Sequence, residues 1–542
     1  MLPLTLRFDQ VEGTHRDQTD GPVTLWTRDN VGEVLPDMVT PLTWSLLEPL
    51  INRSFVAVWR RLHMDDVSAA GLFGRFYGRV YFNRTFFQAL MNRFYPSLAG
   101  WRETPRLALT ALWALLLLCR LPGESEEVIG TILGHRHSEK DLMFWRRLGA
   151  ETMQVHLAVT VMAELLYQAL DKLLIRWGDG TVSAAMLTTG LTGVRSAEAG
   201  QALVDLAHQV RHDDSLRALV LAAAPETLPV RLVETDAGRA LWAQIERFLI
   251  EHGHSAMQEF ELAAPRWRDD PTIILSALQA RVQAVGDEPA GDPTAARLAA
   301  TAQVECRLNL PKRWFFRHLL RWAQALTVTR ENLKYHFVIA HSRLRDLYLA
   351  LAAQLVAAGR LSSAEDVFFL TDEQVAALVE GKLVPDEGRE RVAERRQAWE
   401  ADRQVVPPLA LEQLPNSHLR PVSPSPPPGG DGERLLRGVA ASPGSYRGRA
   451  RVVLSLDDGI DLEPGEVLVV PGTSPGWAPL FVVAGALVTE IGGALSHGAI
   501  IAREYGLPAV LNVAAATRRI RTGQLIHVDG SQGVVRLLGE ET

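Results

Sequence analysis

A histidine can act as a nucleophile when it is neutral and when the group it accepts is stabilised where it sits. His497 stands in TEIGGALSHGAIIAREYGLPAV, residues 489–510, and that stretch offers such a setting. Gly492 and Gly493 permit a tight strand-to-helix turn, and Ser496 is placed to cap the helix that follows. HGAIIAREY predicts two to three helical turns, with Gly506 as the stop and Pro508 just beyond it. A helix N-terminus favours an anion and disfavours imidazolium, so an imidazole in the first turn is held neutral and a phosphate on it is favoured. The imidazole is expected to point outward from a rigid element. Local features alone leave two other readings open, a packing residue or an exposed one. No second His, Cys or carboxylate lies at ligand spacing here, so a metal site is not expected.

The elements that must position this histidine form the last of three regions. Residues 1–406 read as mainly helical, with SLLEPLINRSFVAVWRRL, HLAVTVMAELLYQALDKLLIRWG and SAEAGQALVDLAHQVRHDDSLRALVLAAA recurring at helix spacing. Residues 407–434 are dense in Pro, Ser and Gly and read as a linker. Residues 435–542 change to short β-rich runs, GRARVVLSL, GEVLVVPG and GALVTE. A closing hairpin follows, made by QLIHVD, the DGSQG turn and VVRLL. The expected fold is multidomain, a large mainly α-helical region followed by a small α/β module.

Composition narrows the function classes. A net charge of −7 argues against a nucleic-acid partner, which asks for a basic balance or stripe. The two cysteines, Cys119 and Cys306, cannot build a disulfide framework, so a cytoplasmic setting is expected. The start, MLPLTLRFDQVEG, has no signal-peptide pattern. The most apolar run, LALTALWALLLLC at 107–119, is too short for a membrane span and reads as a buried helix.

Six further residues could do chemistry in the helical region. In LPKRWFFRHLLRWAQALTVTRENLKYHFVIAHSRLRDLYLAL, the residues Leu333, Phe337, Ala340, Leu344, Leu347 and Leu351 form a core-facing stripe. Beside it run Arg330, Lys334, His341 and Arg345. That row is either a solvated edge with snorkelling side chains or a phosphate-receiving lip, in which case Arg330 and Lys334 are the candidates. GHRHSEKD (134–141) and HGHSAMQE (252–259) each contain His-x-His without an evident third ligand. His254 and Glu259 of the second are candidate pocket groups.

Four ordered motifs carry a resemblance: GVAASPGSYRGRARVV (438–453), PGTSPGWAPLF (471–481), LVTEIGGALSHGAIIAREYGLPAV (487–510) and IRTGQLIHVDGSQGVVRL (520–537). Together they resemble the phosphohistidine (mobile) domain of the phosphoenolpyruvate-utilising enzymes. The resemblance implies that His497 is transiently phosphorylated and that Gly492, Gly493, Ser496 and Arg503 belong to its signature. Ser474 departs from it, since an acidic residue is common there. Islands of the helical region, NVGEVLPDMVTPLTWSLLEPL (30–50), GRVYFN (78–83), HGHSAMQEFELAAPRWRDDP (252–271) and GRLSSAEDVFFLTDEQV (359–375), resemble the substrate domain of the rifampicin phosphotransferases.

Members of that group load the histidine from an ATP-grasp domain or from phosphoenolpyruvate, and the sequence shows neither that domain nor a GxxxxGK[ST] loop. The resemblance therefore implies a split phosphotransferase. A partner ATP-grasp chain would use ATP and Mg to phosphorylate His497, with no cofactor held by this chain. The end module would then swing on its tether to a hydroxyl on a small, partly hydrophobic acceptor. Some 25 tether residues give a typical reach of roughly 25–30 Å. The alternatives are a phosphocarrier or regulatory protein, and an antibiotic-binding protein without phosphotransfer.

Overall fold

A computed structural model describes residues 23–538 apart from 29–30, 36, 62–71, 89–104, 137, 285–291, 406, 415–417, 423–433, 455–461 and 474. The helical region opens with β1 (Thr24–Thr27), α1 (Pro41–Arg61), β2 (Phe73–Phe76) and β3 (Arg79–Asn83). It continues with α2 (Pro105–His135), α3 (Leu142–Trp177), α4 (Arg195–Arg211), α5 (Asp214–Ala222) and α6 (Asp236–His252). The long α7 (Leu310–Ala357) and α8 (Pro385–Arg403) complete it. Among the described residues, no helix is long and apolar enough to cross a membrane.

Helix α7 runs 48 residues because nothing in it breaks the ladder: Pro311 sits in the first turn, and Asn309 caps by accepting from the Lys312 amide. It packs antiparallel to α3 between Phe316 and Tyr348. Trp145 and Leu148 of α3 meet Ile339, Leu344 and Tyr348, Val155 and Val159 meet Leu326 and Leu333, and Leu170 meets Phe316 and Leu320. The pair is the rigid spine on which the site is built. The SAEAGQ…LAAA run is two helices rather than one, because Asp213 accepts from the Ser215 and Leu216 amides and starts α5 afresh.

The 407–434 linker needs correction. Residues Ala410–Gln413 (β4) and Leu419–Pro421 (β5) are strands, and β4 pairs antiparallel with β1, Thr24 opposite Gln413 and Thr27 opposite Ala410. They complete a five-stranded sheet in the order β2-β3-β1-β4-β5, which belongs to the helical region. Strand β1 would otherwise present an unpaired edge, and Pro421 is tolerated because β5 lies at the edge. Only 423–433 of the expected tether falls between the two sheets, and it lies outside the described residues.

The end module is an eight-stranded sheet with helices against it. Its strands are β6 (Leu435–Arg437), β7 (Val439–Ser442), β8 (Ser445–Val452), β9 (Val467–Val470), β10 (Ala486–Thr489), β11 (Ala509–Leu511), β12 (Leu525–Asp529) and β13 (Val534–Leu537). Strands β8, β9, β10 and β11 run parallel, with Val467 opposite Ala450 and Ala486, and Leu487 opposite Ala509. Val467–Val470 and Ala486–Thr489 are buried throughout, as central parallel strands covered on both faces should be. The β12–β13 hairpin forms where DGSQG predicts it, Asp529 accepting from the Ser531 and Gln532 amides. The sheet order is β6-β13-β12-β8-β9-β10-β11-β7, so β6 and β7 hold its two edges. Gly438 alone separates them, which brings those edges together.

Candidate functional site: a histidine clamped between two regions

His497 is the first residue of α9 (His497–Glu504), and it follows β10 through the turn at Gly492. Gly492 has φ +135°, a conformation that costs a side-chain-bearing residue dearly. Ser496 caps the helix by accepting from the Ala499 amide, and Gly506 (φ +64°) ends it, both as the sequence predicts. Gly498 has a further reason to be glycine, since a Cβ there would lie 2.3 Å from the Thr473 hydroxyl.

The outward-pointing imidazole is not what the fold presents. His497 is 3% exposed, covered by α7 of the helical region. Its Nδ1 donates to Glu331 Oε2 at 2.6 Å across 166 residues of chain, and Glu331 is 1% exposed. Burial pushes the Glu331 carboxyl up, but His497, Arg330 and Lys334 outweigh it and hold it at about 2. Burial lowers the His497 pKa, with Glu331 opposing, so the ring is neutral at pH 7. A carboxylate can only accept, so the Nδ1 position carries the proton and the lone pair lies on Nε2. Nε2 is buried and has no hydrogen-bond partner among the described residues. The ring is thus fixed as the tautomer a nucleophile needs.

Arg330 brackets the same clamp. Its Nη1 donates to the Leu495 carbonyl, two residues before His497, and lies 3.3 Å from Glu331 Oε1. Leu495 itself packs with Val155, Val159 and Leu333 between α3 and α7. Lys334 is 7% exposed one turn further on, close enough to act on both His497 and Glu331. His341 Nε2 donates to the Phe260 carbonyl (3.0 Å), and Arg345 pairs with Asp269 at 2.8 Å. Lys334, His341 and Arg345 are therefore buried and Arg330 is half-buried, and the row's reading as a solvated edge is set aside. Beyond Leu344 the apolar seam passes from Leu347 and Leu351, which are half-buried, to Tyr348 and Ala352.

The remaining sequence candidates fall in three places. Arg503 is fully buried and spends its guanidinium on the Ala441 carbonyl (2.6 Å) and the Ala494 carbonyl, beside Thr188. It braces the turn that carries His497. Gly493 has open space around it. Glu259 is 3% exposed, its Oε2 has no partner among the described residues, and Lys334 and Glu331 act on its charge. Burial raises that carboxyl to about 7, against Lys334, Arg266 and Ser255. His254 packs edge-on against Tyr335 and lines a cleft of about 620 Å³ with Trp242, Arg268 and Ile339. Ser474 lies outside the described residues.

Two members of the cluster escape sequence reading. Glu331 stands between two chosen cations, and helix periodicity does not say what docks there. His156 of α3 adjoins Arg330, Lys334 and Glu331, and burial among these charges lowers it to about 3.

Glycines set the closeness of the seam between the regions. Tyr505 lies over Gly200 of α4, where a Cβ would fall 1.8 Å from its hydroxyl oxygen, and Gly476 meets the Ala256 carbonyl as tightly. Thr189 adds a bond to the Arg503 carbonyl at 3.0 Å.

With both halves of the clamp in view, relatives can be compared. Residues 153–331 match the rifampicin phosphotransferase fourth domain, and residues 462–533 match the PEP-utilising enzyme mobile domain. Glu331 closes the first stretch and His497 lies in the second. The chain carries the mobile domain of the phosphoenolpyruvate-utilising enzymes. It is 31% identical over 389 residues to a rifampicin phosphotransferase of Streptomyces sviceus, covering 68% of this chain and 43% of the relative. The prodigiosin synthesizing transferase PigC of Serratia marcescens is 29% identical over 428 residues, 75% of this chain and 46% of its own. Chondramide synthase cmdD of Chondromyces crocatus is 34% identical over 374 residues, 64% of this chain and 9% of its own. The chain spans less than half the length of these curated relatives.

Proposed function

We propose that this chain is the histidine-bearing part of a phosphotransferase. His497 Nε2 takes a phosphoryl group and hands it to a hydroxyl of a small, partly hydrophobic acceptor held by the helical region. The observation that carries the reading is the 2.6 Å bond from His497 Nδ1 to Glu331, which leaves a neutral, unpartnered Nε2 beside two cations. Arg330 and Lys334 would balance the charge of the transferring group, as clamps on phosphoryl oxygens do. The α9 N-terminus and the Ser496 cap would hold the ring in line. Glu331 would fix the tautomer and return it after transfer.

Loading needs Nε2 uncovered, because in the docked arrangement the ring is enclosed. The module would leave α7, meet an ATP-grasp partner holding ATP and Mg, and come back charged. Its travel would depend on the Pro/Gly-rich 423–433 stretch, eleven residues with a typical reach of roughly 17–20 Å. That is shorter than the whole Pro-rich run implies, since β4 and β5 are anchored to β1.

The test is acid-labile label. The chain is mixed with the ATP-grasp partner and ATP labelled at the β-phosphate. Label is expected on the wild type and absent from His497→Ala. Equal label on both removes the phosphohistidine. Label that forms but never reaches a hydroxylated compound leaves a carrier instead.

A further inference from the structure

Transfer to a hydroxyl requires a place for its proton, and nothing above supplies one. Two carboxyls adjoin the clamp. Glu331 is committed to His497 Nδ1 and, held at about 2, is a weak base. His156 is neutral but, at about 3, weaker than an ordinary imidazole. Glu259 differs from both. It lies on the 252–261 loop, wedged between α7 and the Gly476 turn of the end module. Its main chain is pinned by Arg266, which donates to the Glu259 carbonyl at 3.0 Å, and by Phe260, stacked 5.1 Å from Phe337 of α7. The next residue, Glu261, is tied to Thr40 and Thr43. The carboxyl is therefore carried on a fixed support, yet its Oε2 has no partner among the described residues.

Separate elements leave buried polar atoms without a partner among the described residues: His497 Nε2 on α9, Glu259 Oε2 on the loop, His156 Nδ1 on α3 and Arg330 Nε on α7. Lys334 and Glu331 lie close enough to act on His497, Glu259 and His156 alike. A buried polar atom without a partner costs stability unless something fills it. Here the unmet capacity matches a phosphoryl group and a hydroxyl, a donor for Oε2 and an electrophile for Nε2.

Resting on the phosphotransferase reading, we propose that Glu259 is the general base of the transfer step. The acceptor oxygen attacks phosphorus, the P–N bond to His497 Nε2 breaks with its electron pair returning to the ring, and Glu259 Oε2 takes the hydroxyl proton. The groups that face Glu259 are Lys334 and Glu331 from α7 and Arg266 from its own segment, with His497, His156 and Arg330 in the cluster beyond. A base that titrates near the working pH is the most effective kind. The ionised form grows as pH rises through about 7, so the step should accelerate across that window.

The experiment uses the full chain charged with potassium phosphoramidate, which phosphorylates histidine directly, with water and glycerol as the hydroxyl probes. Charging is read as one added phosphoryl mass that His497→Ala does not acquire. Discharge is then followed over a unit either side of pH 7. Wild type is expected to show a rising limb with its midpoint near 7. Glu259→Gln should discharge roughly 100-fold more slowly with the limb gone, and Glu259→Asp should recover part of the limb. Unchanged thermal unfolding of Glu259→Gln shows that the fold is intact. A flat wild-type profile, or a Gln variant that keeps both rate and limb, overturns the role of Glu259. Failure to charge wild type above His497→Ala removes the phosphohistidine itself, and the base with it.

Discussion

The end module meets two kinds of surroundings, its own sheet and the seam against α4 and α7. Inside the sheet, Val467, Val469, Ala486, Val488 and Ile526 form a layer with no polar side chain among them. The seam also buries apolar side chains, Leu203 and Val210 clustering with Leu480, Phe481 and Ile501, but its closest approaches are made at glycines and it holds a charged cluster with unmet hydrogen-bonding capacity. The first kind of packing gains free energy from every methylene buried, and it has one good solution. The second gives up part of that gain to keep a reactive ring, two carboxyls and two cations together out of water. The contrast teaches where stability and chemistry are kept apart. The module owes its fold to the sheet, and the site exists only where the two regions meet.

The largest test of that contrast is Val488→Asp, which places an unpaired charge in the sheet layer. A loss of about 4 kcal/mol or more is expected, enough to unfold the module, with the helical region still melting on its own in calorimetry. A single transition, or a wild-type melt, would contradict it.

Gly200→Ala probes the seam and has opposing expectations. Alanine favours helix over glycine by about 1 kcal/mol, so α4 alone should be strengthened. The added methyl collides with Tyr505, and docking should weaken by about 1–3 kcal/mol. The expected outcome is a split melt and faster proteolysis between residues 423 and 433. A single transition at higher temperature would show that the seam tolerates the methyl.

Ser496→Ala should have the smallest effect, about 1 kcal/mol from the lost bond to the Ala499 amide. It sharpens the comparison because the cap belongs to the module while the ring it orients belongs to the seam. The His497 imidazole resonance should shift in NMR even though the melting temperature barely moves.

What the sequence reveals about this molecule depends on distance along the chain. The turn, cap and stop around His497 are written within fifteen residues, in Gly492, Ser496 and Gly506, and each acts through local backbone chemistry. The α7 stripe is legible for the same reason, as a period over one helix. The strands at 410–413 and 419–421 were hidden because composition sees Pro and Ser, while pairing with β1 depends on residues nearly four hundred positions earlier. Glu331 was hidden for a similar reason. Its partner lies 166 residues away, and a carboxylate between two basic residues looks like ordinary charge alternation until α9 is laid against it. Burial of His497 belongs to the same class, a property of docking rather than of its own helix.

The placement of Gly438 bears on how the module behaves in the cell's crowded protein solution. Strands β6 and β7 occupy the two edges of its sheet, and one residue joins them, with the Gly438 amide bonded to the Gly533 carbonyl. A Cβ at Gly438 would lie 2.3 Å from the Leu511 carbonyl oxygen, so the seal admits no side chain. An open sheet offers a strip of unpaired amides on which another chain can build. Carrying the chain from one edge to the other through a single residue keeps those edges short, three residues at β6 and four at β7, and so leaves little template for aggregation beside the docking face.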